Sequence, residues 1–228
     1  KNGGDITIAV SNAQDLAGNT IASPNSGTHT GGGIGVVPTV SAVAVQTGLA
    51  VGVTYSEAMG VGVTTASNYA VSGTGQGTLS ANPTSVALVS GNTYRLTWAA
   101  GEMKNGGDIT IAVGNAQDLA GNAIGSPSSG THTNGAIGVA PTASITLDDP
   151  TPTGANVVHF SVDFNESVGT SFTDSGDVTV TGTLSGTPVV SGSDPHYNVA
   201  VTLANPDANG TVGISVGTTV TDLAGNPY

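Results

Sequence analysis

The sequence predicts an all-β chain made of tandem sandwich repeats, and three observations carry that prediction. Short apolar runs alternate with a period of two. Gly, Asn, Ser and Pro separate the runs at intervals typical of turns between strands. A long stretch of the chain also recurs almost unchanged, which marks an array of domains.

Residues 1–40 return at 104–143 with an offset of 103, and 32 of the 40 positions are identical. A diverged copy follows, where Asp222-Leu223-Ala224-Gly225-Asn226 repeats 15–19 and 118–122. A period near 100 is too long for a solenoid unit of about 20–50 residues and suits a self-contained sandwich. Val37-Pro38-Thr39 and Ala140-Pro141-Thr142 are the natural joints, because Pro stiffens a short linker. The expected organisation is the C-terminal strands of a truncated repeat at 1–37, a complete repeat at 38–140 and a diverged repeat at 141–228.

Within 38–140 the strands follow from the alternation. Val43 and Val45 mark the first; Leu49, Val51, Val53 and Tyr55 the second; Tyr69 and Val71 the third. Val86 and Leu88 come next, then Tyr94, Leu96 and Trp98, then Ile109, Ile111 and Val113, and the stretch to Val139 supplies a seventh. The diverged repeat follows the plan with Ile145/Leu147, Val158 to Phe164, Val178/Val180, Val199 to Leu203 and Val212 to Val216. Helical periodicity is absent. Seven short strands in the complete repeat make an immunoglobulin-like Greek-key β-sandwich the expected fold, with one inward face per strand.

Composition excludes several functions. The 228 residues carry three basic and fifteen acidic side chains, a net charge of −12. Nucleic-acid binding needs clustered Lys and Arg to displace counterions, so it is excluded. Anionic lipid is an equally poor partner, and no segment reads as a membrane span. With no cysteine there is neither a disulfide nor a thiolate metal site. The acidic surplus leaves cation binding open, with Ca²⁺ the natural ion for carboxylates outside the cell.

Two motifs carry a family resemblance. Val53-Thr54-Tyr55-Ser56-Glu57-Ala58-Met59 and Val162-Asp163-Phe164-Asn165-Glu166-Ser167-Val168 resemble the V-x-F-S-E-P-[MV] element of bacterial Ig-like domains, and Asp-Leu-Ala-Gly-Asn resembles their D-x-A-G-N element. Such domains are found in S-layer proteins and large repetitive surface adhesins. The sequence departs at Ala58 and Ser167, where the family often has Pro. The resemblance implies an extracellular or cell-surface bacterial protein.

The candidate site residues recur with the motifs. Glu57 closes the second strand and Asp118 follows the sixth, so in an Ig-like sandwich both reach the pole where the chain enters. Glu57, Asp118 and Asn122, with Glu166, Asp222 and Asn226 in the next repeat, form a candidate calcium set that would stiffen an inter-repeat joint. The alternative is that the Asp only accepts backbone N–H bonds in an Asx-type turn, with Gly121 left-handed. Asp148-Asp149 reads as a solvated turn. The four histidines (His29, His132, His159, His196) pair with no nucleophile at recognisable spacing, so no catalytic residues are expected and the chain reads as a non-enzyme.

The expected role is a structural segment of a stalk, S-layer or filament, its partners being neighbouring repeats or copies of itself. The alternatives are an adhesin segment binding surface glycan or a host protein, or an accessory module of a secreted polysaccharide-degrading enzyme. Few aromatics are available for glycan stacking. Residues 1–37 hold only two strands, marginal alone in water, and are expected to make inter-repeat or intermolecular contacts.

Overall fold

The computed structural model describes residues 1–173 and 175–228. Every regular element in it is a β-strand apart from two single 3₁₀ turns, Ala66–Asn68 and Ser175–Asp177. The chain gathers into two compact units. One comprises Lys1–Ser72, Ser80–Ala99 and Thr110–His132, the other Gly73–Leu79, Ala100–Ile109 and Thr133–Tyr228. The second unit thus takes the turns from one end of repeat 38–140 together with the diverged repeat.

The first unit opens with β1 (Ile6–Ala9) and β2 (Ser26–His29), an antiparallel ribbon with Ile6 opposite His29. Next come β3 (Val40–Thr47), β4 (Ala50–Tyr55), β5 (Tyr69–Ser72), β6 (Ser85–Ser90) and β7 (Thr93–Thr97). β8 (Ile109–Val113) and β9 (Ser129–His132) complete the repeat. One sheet runs β3-β4-β7-β6 and the other β5-β8-β9. Alternation aims Val51, Val53 and Tyr55 of β4, Tyr94 and Leu96 of β7, and Tyr69 and Val71 of β5 inward, all buried. A hydrogen bond of 2.8 Å between the Tyr55 and Tyr69 hydroxyls ties the two sheets together, and Tyr69 also donates to the Val63 carbonyl. Burial pushes the Tyr69 phenol up to about 12, against the hydrogen bond from Tyr55, which lowers it.

Two local expectations fail. β6, at the sheet edge, has only a partial inward face: Val86 is half-buried, while Leu88 and Val89 are exposed. The seventh strand is only Ser129–His132, and the apolar Ile137 and Val139 lie outside it, in the joint described below.

The second unit holds β10 (Ala143–Leu147), β11 (Val157–Phe164), β12 (Val178–Gly182), β13 (Gly186–Ser193), β14 (His196–Leu203) and β15 (Val212–Val216). The order β10-β11-β14-β13 repeats that of the complete repeat, and β12 pairs β15. Its core gathers Val158, Phe160, Val162, Phe164, Phe172, Tyr197, Val199 and Val201. Phe164, Phe172 and Tyr197 meet edge to face with centroids 5.0–6.0 Å apart, a favourable aromatic geometry.

Candidate functional site: the Asp-Leu-Ala-Gly-Asn loop and the turn it grips

The loop closes on itself before it meets anything else. In 118–122 the Asp118 carboxylate accepts the Asn122 backbone N–H at 2.8 Å and its side-chain Nδ2–H at 2.6 Å. Asp118 N–H donates to the Asn122 carbonyl, and Gly121 N–H to the Asp118 carbonyl. The chain turns back at Gly121 with φ +81°, which a side chain would strain. Burial raises the Asp118 carboxyl, but the Asn122 side chain and the N–H groups of Asn122, Ala120 and Gly121 outweigh it and hold it below its ordinary value. Loop 222–226 repeats this with 2.8 and 2.7 Å bonds. Loop 15–19 repeats it at 2.9 Å on both, although it is exposed. The clamp therefore forms without burial and pre-sets the terminal Asn.

In two copies that Asn grips another segment. Asn122 Oδ1 accepts the backbone N–H of Asn2 at 2.5 Å, and its Nδ2 donates to the Val36 carbonyl at 3.1 Å. Asn226 Oδ1 accepts the backbone N–H of Asn105 at 2.7 Å, and its Nδ2 donates to the Met103 carbonyl at 3.2 Å. Asn2 and Asn105 hold the same place in two Lys-Asn-Gly-Gly turns, each closed by an N–H···O bond from its last Gly to its Lys. Asn122 and Asn226 are 5% and 2% exposed, so their amides are spent on these bonds rather than on water.

The linker glycine fits under the same amide. A Cβ on Gly138 would lie 2.2 Å from the Met103 carbonyl oxygen and 2.4 Å from Asn226 Oδ1. A Cβ on Gly35, the equivalent residue, would lie 2.8 Å from Asn2 N and 3.0 Å from the Asn122 amide. The lysine of each turn lays its aliphatic stem over the left-handed glycine of the loop, Lys1 on Gly121 and Lys104 on Gly225.

The acidic candidates meet at the same places. Met59 forms a bridge with Asp118, which brings the Glu57 segment beside the first gripping loop. Glu57 Oε1 is buried there with no hydrogen-bond partner among the described residues. At the second loop, Glu166 and Asp222 come together with Glu102, a residue the sequence reasoning passed over; one carboxylate oxygen from each lies within 4.8 Å of the others. Glu102 Oε1 accepts the Val139 N–H at 2.6 Å and lies 3.3 Å from Asn226 Nδ2. Burial raises the Glu166 carboxyl, and the charges of Glu102 and Asp222 raise it further. The one signal for Glu102 in the sequence is its position two residues before the Lys-Asn-Gly-Gly turn.

The remaining candidates take ordinary surface partners. Asp149 accepts the His159 N–H and meets its ring at 3.1 Å, and Asp148 accepts from the Ser161 hydroxyl. His196 pairs with Asp163 at 2.7 Å. No helix among the described residues is long and apolar enough to cross a membrane.

The comparison with protein-family models finds no match, and that with curated proteins no significant one. Among solved structures the chain is similar to the N-terminal part of the bacterial S-layer protein SbsC, at 20% identity and a TM-score of 0.38 over 82% of this chain and 42% of that one. Two further SbsC structures, residues 31–844 and domains 1–6, align at 14% identity with TM-scores of 0.37 and 0.36, over 85% of this chain and 34% of theirs. The chain thus spans less than half the length of the SbsC chains it aligns with.

Proposed function

We propose that the chain is a structural segment of an extracellular bacterial surface protein, of the stalk, S-layer or filament kind. Its repeats are locked in series by their Asp-Leu-Ala-Gly-Asn loops. The observation that carries this reading is the same amide grip made twice, by Asn122 on one Lys-Asn-Gly-Gly turn and by Asn226 on the next. A contact repeated with equivalent atoms at equivalent places is what a linear array needs, since each repeat then presents one gripping pole and one gripped pole. The strand order supports immunoglobulin-like repeats: β3-β4-β7-β6 against β5-β8-β9 follows the A-B-E-D and C-F-G order of a constant-type domain.

Calcium is the proposed partner of the second grip. Glu102, Glu166 and Asp222 offer hard carboxylate oxygens at mutual distances one ion can bridge, and the rest of a six- to eight-oxygen shell would come from backbone and water. Asn226 supports the set by holding Asp222 in place. At the first grip Glu57 and Asp118 are the two acids supplied.

Calorimetry tests the reading. The gripped segments should unfold together in the wild-type chain, and Asn226→Ala should split the transition by uncoupling the diverged repeat. An Asn226→Ala chain that unfolds with unchanged cooperativity would contradict the lock.

A further inference from the structure

The segment that leads out of the complete repeat lies along the turn that Asn226 grips. Gly106 N–H donates to the Ala136 carbonyl at 2.9 Å, and Ala136 N–H donates back to the Gly107 carbonyl at 3.0 Å. Asn134 N–H donates to Asp108 Oδ1 at 2.8 Å, and Val139 N–H to Glu102 Oε1. Ala136 is buried between these bonds, and a Cβ on Gly75 would stand 2.5 Å from its methyl group. A change of backbone length just before Ala136 has no room to relax there.

Two Asn-Gly pairs flank this pairing, Asn105-Gly106 in the turn and Asn134-Gly135 in the segment. Asn is among the thermolabile residues, and Gly after it leaves the next backbone nitrogen unshielded by a side chain. That nitrogen attacks the Asn side-chain carbonyl only after giving up its proton. A hydrogen bond slows the loss, as it slows amide exchange. Both asparagines are exposed. They differ at the glycine: Gly106 N–H is bound to Ala136, whereas Gly135 N–H has no acceptor among the described residues. The turn at Asn134, with φ +51°, does not need an Asn, since the near-copy carries Gly31 there at φ +68°.

We propose that Asn134-Gly135 is a self-modification site, at which the Gly135 nitrogen closes on Asn134 Cγ in the folded chain and water then opens the ring. One bond forms, from Gly135 N to Asn134 Cγ, and one breaks, from Cγ to Nδ2. The Gly135 proton passes to solvent base, and the amide leaves as ammonia. Water then adds at either carbonyl of the succinimide. Opening at Cγ gives aspartate, and opening at the main-chain carbonyl gives isoaspartate, whose backbone is one carbon longer. The net reaction consumes water and releases ammonia. Either product places a new negative charge beside Asp108, and isoaspartate also drives Ala136 out of register with Gly106 and Gly107. Gly106 N–H then loses its acceptor, so Asn105 becomes open to the same reaction. The structure sets the order, Asn134 first and Asn105 after it. Because Asn226 holds the Asn105 N–H, these steps unfasten the joint as the protein ages. Only this last consequence rests on the reading of the grip as a lock.

Peptide mapping by mass spectrometry of the whole folded chain, aged in mildly alkaline buffer, tests the proposal. The fragment with Asn134 should gain the mass of an amide-to-acid exchange and split into two products on chromatography. Asn105 should convert at least about tenfold more slowly at first, and then only on fragments already converted at 134. In denaturant the two should convert alike. Asn134→Gly, which installs the residue of the near-copy, should hold its melting temperature through ageing while the wild type loses some of its own. Conversion of Asn105 as early as Asn134 in the folded chain would overturn the proposal, as would an aged wild type with Asn134 intact. Neither result touches the bond from Asn105 N–H to Asn226 in fresh protein, so this failure is distinguishable from failure of the lock.

Discussion

Asn122, Asn226 and Asn19 are one residue in three settings, which makes them their own controls. The first two are buried and hold a neighbouring turn through both side-chain atoms; Asn19 bonds only Asp15 among the described residues and is exposed. Truncating a buried amide leaves its partners unpaired and costs about 1–3 kcal/mol. Asn122→Ala and Asn226→Ala should therefore each lower unfolding free energy in denaturant by about 1–3 kcal/mol, and Asn19→Ala by less than about 0.5 kcal/mol. Equal losses in all three would mean that the self-closing clamp, and not the grip, carries the stability. Tyr69→Phe is a second case. It strands the Tyr55 hydroxyl and the Val63 carbonyl in the core and should cost about 1–3 kcal/mol by the same measurement. The sequence made Asp118, Asn122, Asp222 and Asn226 visible because they recur. It did not show which atoms they would meet, since Asn2 and Asn105 contribute backbone N–H groups that no residue type advertises.

At the scale of elements, the strands with alternating Val, Ile and aromatic residues were legible and the edges were not. β7, β11 and β14 alternate because one face of each is buried, whereas β4 is buried on both faces and alternates only in side-chain size and polarity, with Gly52 and Thr54 between Val51, Val53 and Tyr55. β13, Gly186–Ser193, was missed altogether: as an edge strand it tolerates Pro188 and needs no apolar stripe. β6 is legible through Val86 and Leu88, but of the two only Val86 is half-buried, and Leu88 is exposed because an edge strand can expose apolar residues singly. The linkers were read as Pro-stiffened, whereas their glycines set the joint. Gly138→Ala should weaken the second grip by about 1–3 kcal/mol, because backbone and a buried amide both stand in the way of the new methyl. Gly154→Ala, with nothing within 4 Å, should be close to neutral. A thermal melt of the two variants side by side checks the contrast.

For the whole molecule, the repeat, the all-β class and the acidic balance could all be read from the chain, while Glu102 shows what could not. It stands in one repeat and joins Glu166 and Asp222 of the next, a proximity created only when the turn is gripped. Three carboxylates so close repel one another unless a cation or a proton intervenes. Glu166 binds its proton more tightly folded than unfolded, so its favourable contribution is complete below its ordinary value of 4.5 and lost as pH rises through its raised value. In chelator, Glu166→Gln should match wild type in mild acid and melt higher by about 2–4 °C at neutral pH. With calcium the order should reverse: wild type should gain in melting temperature, and Glu166→Gln and Glu102→Gln should gain little. Indifference of the wild type to both calcium and chelator would reject the ion and leave the grip intact.

The grip itself is the central claim, and hydrogen exchange at one amide tests it most directly. The Asn105 N–H belongs to an exposed turn, where free amides exchange quickly, yet it donates to the buried Asn226 Oδ1. It should be slowed by at least about 100-fold in the wild-type chain and released in Asn226→Ala, with exchange in β4 and β7 unchanged. Fast exchange of Asn105 in the wild-type chain would contradict the account.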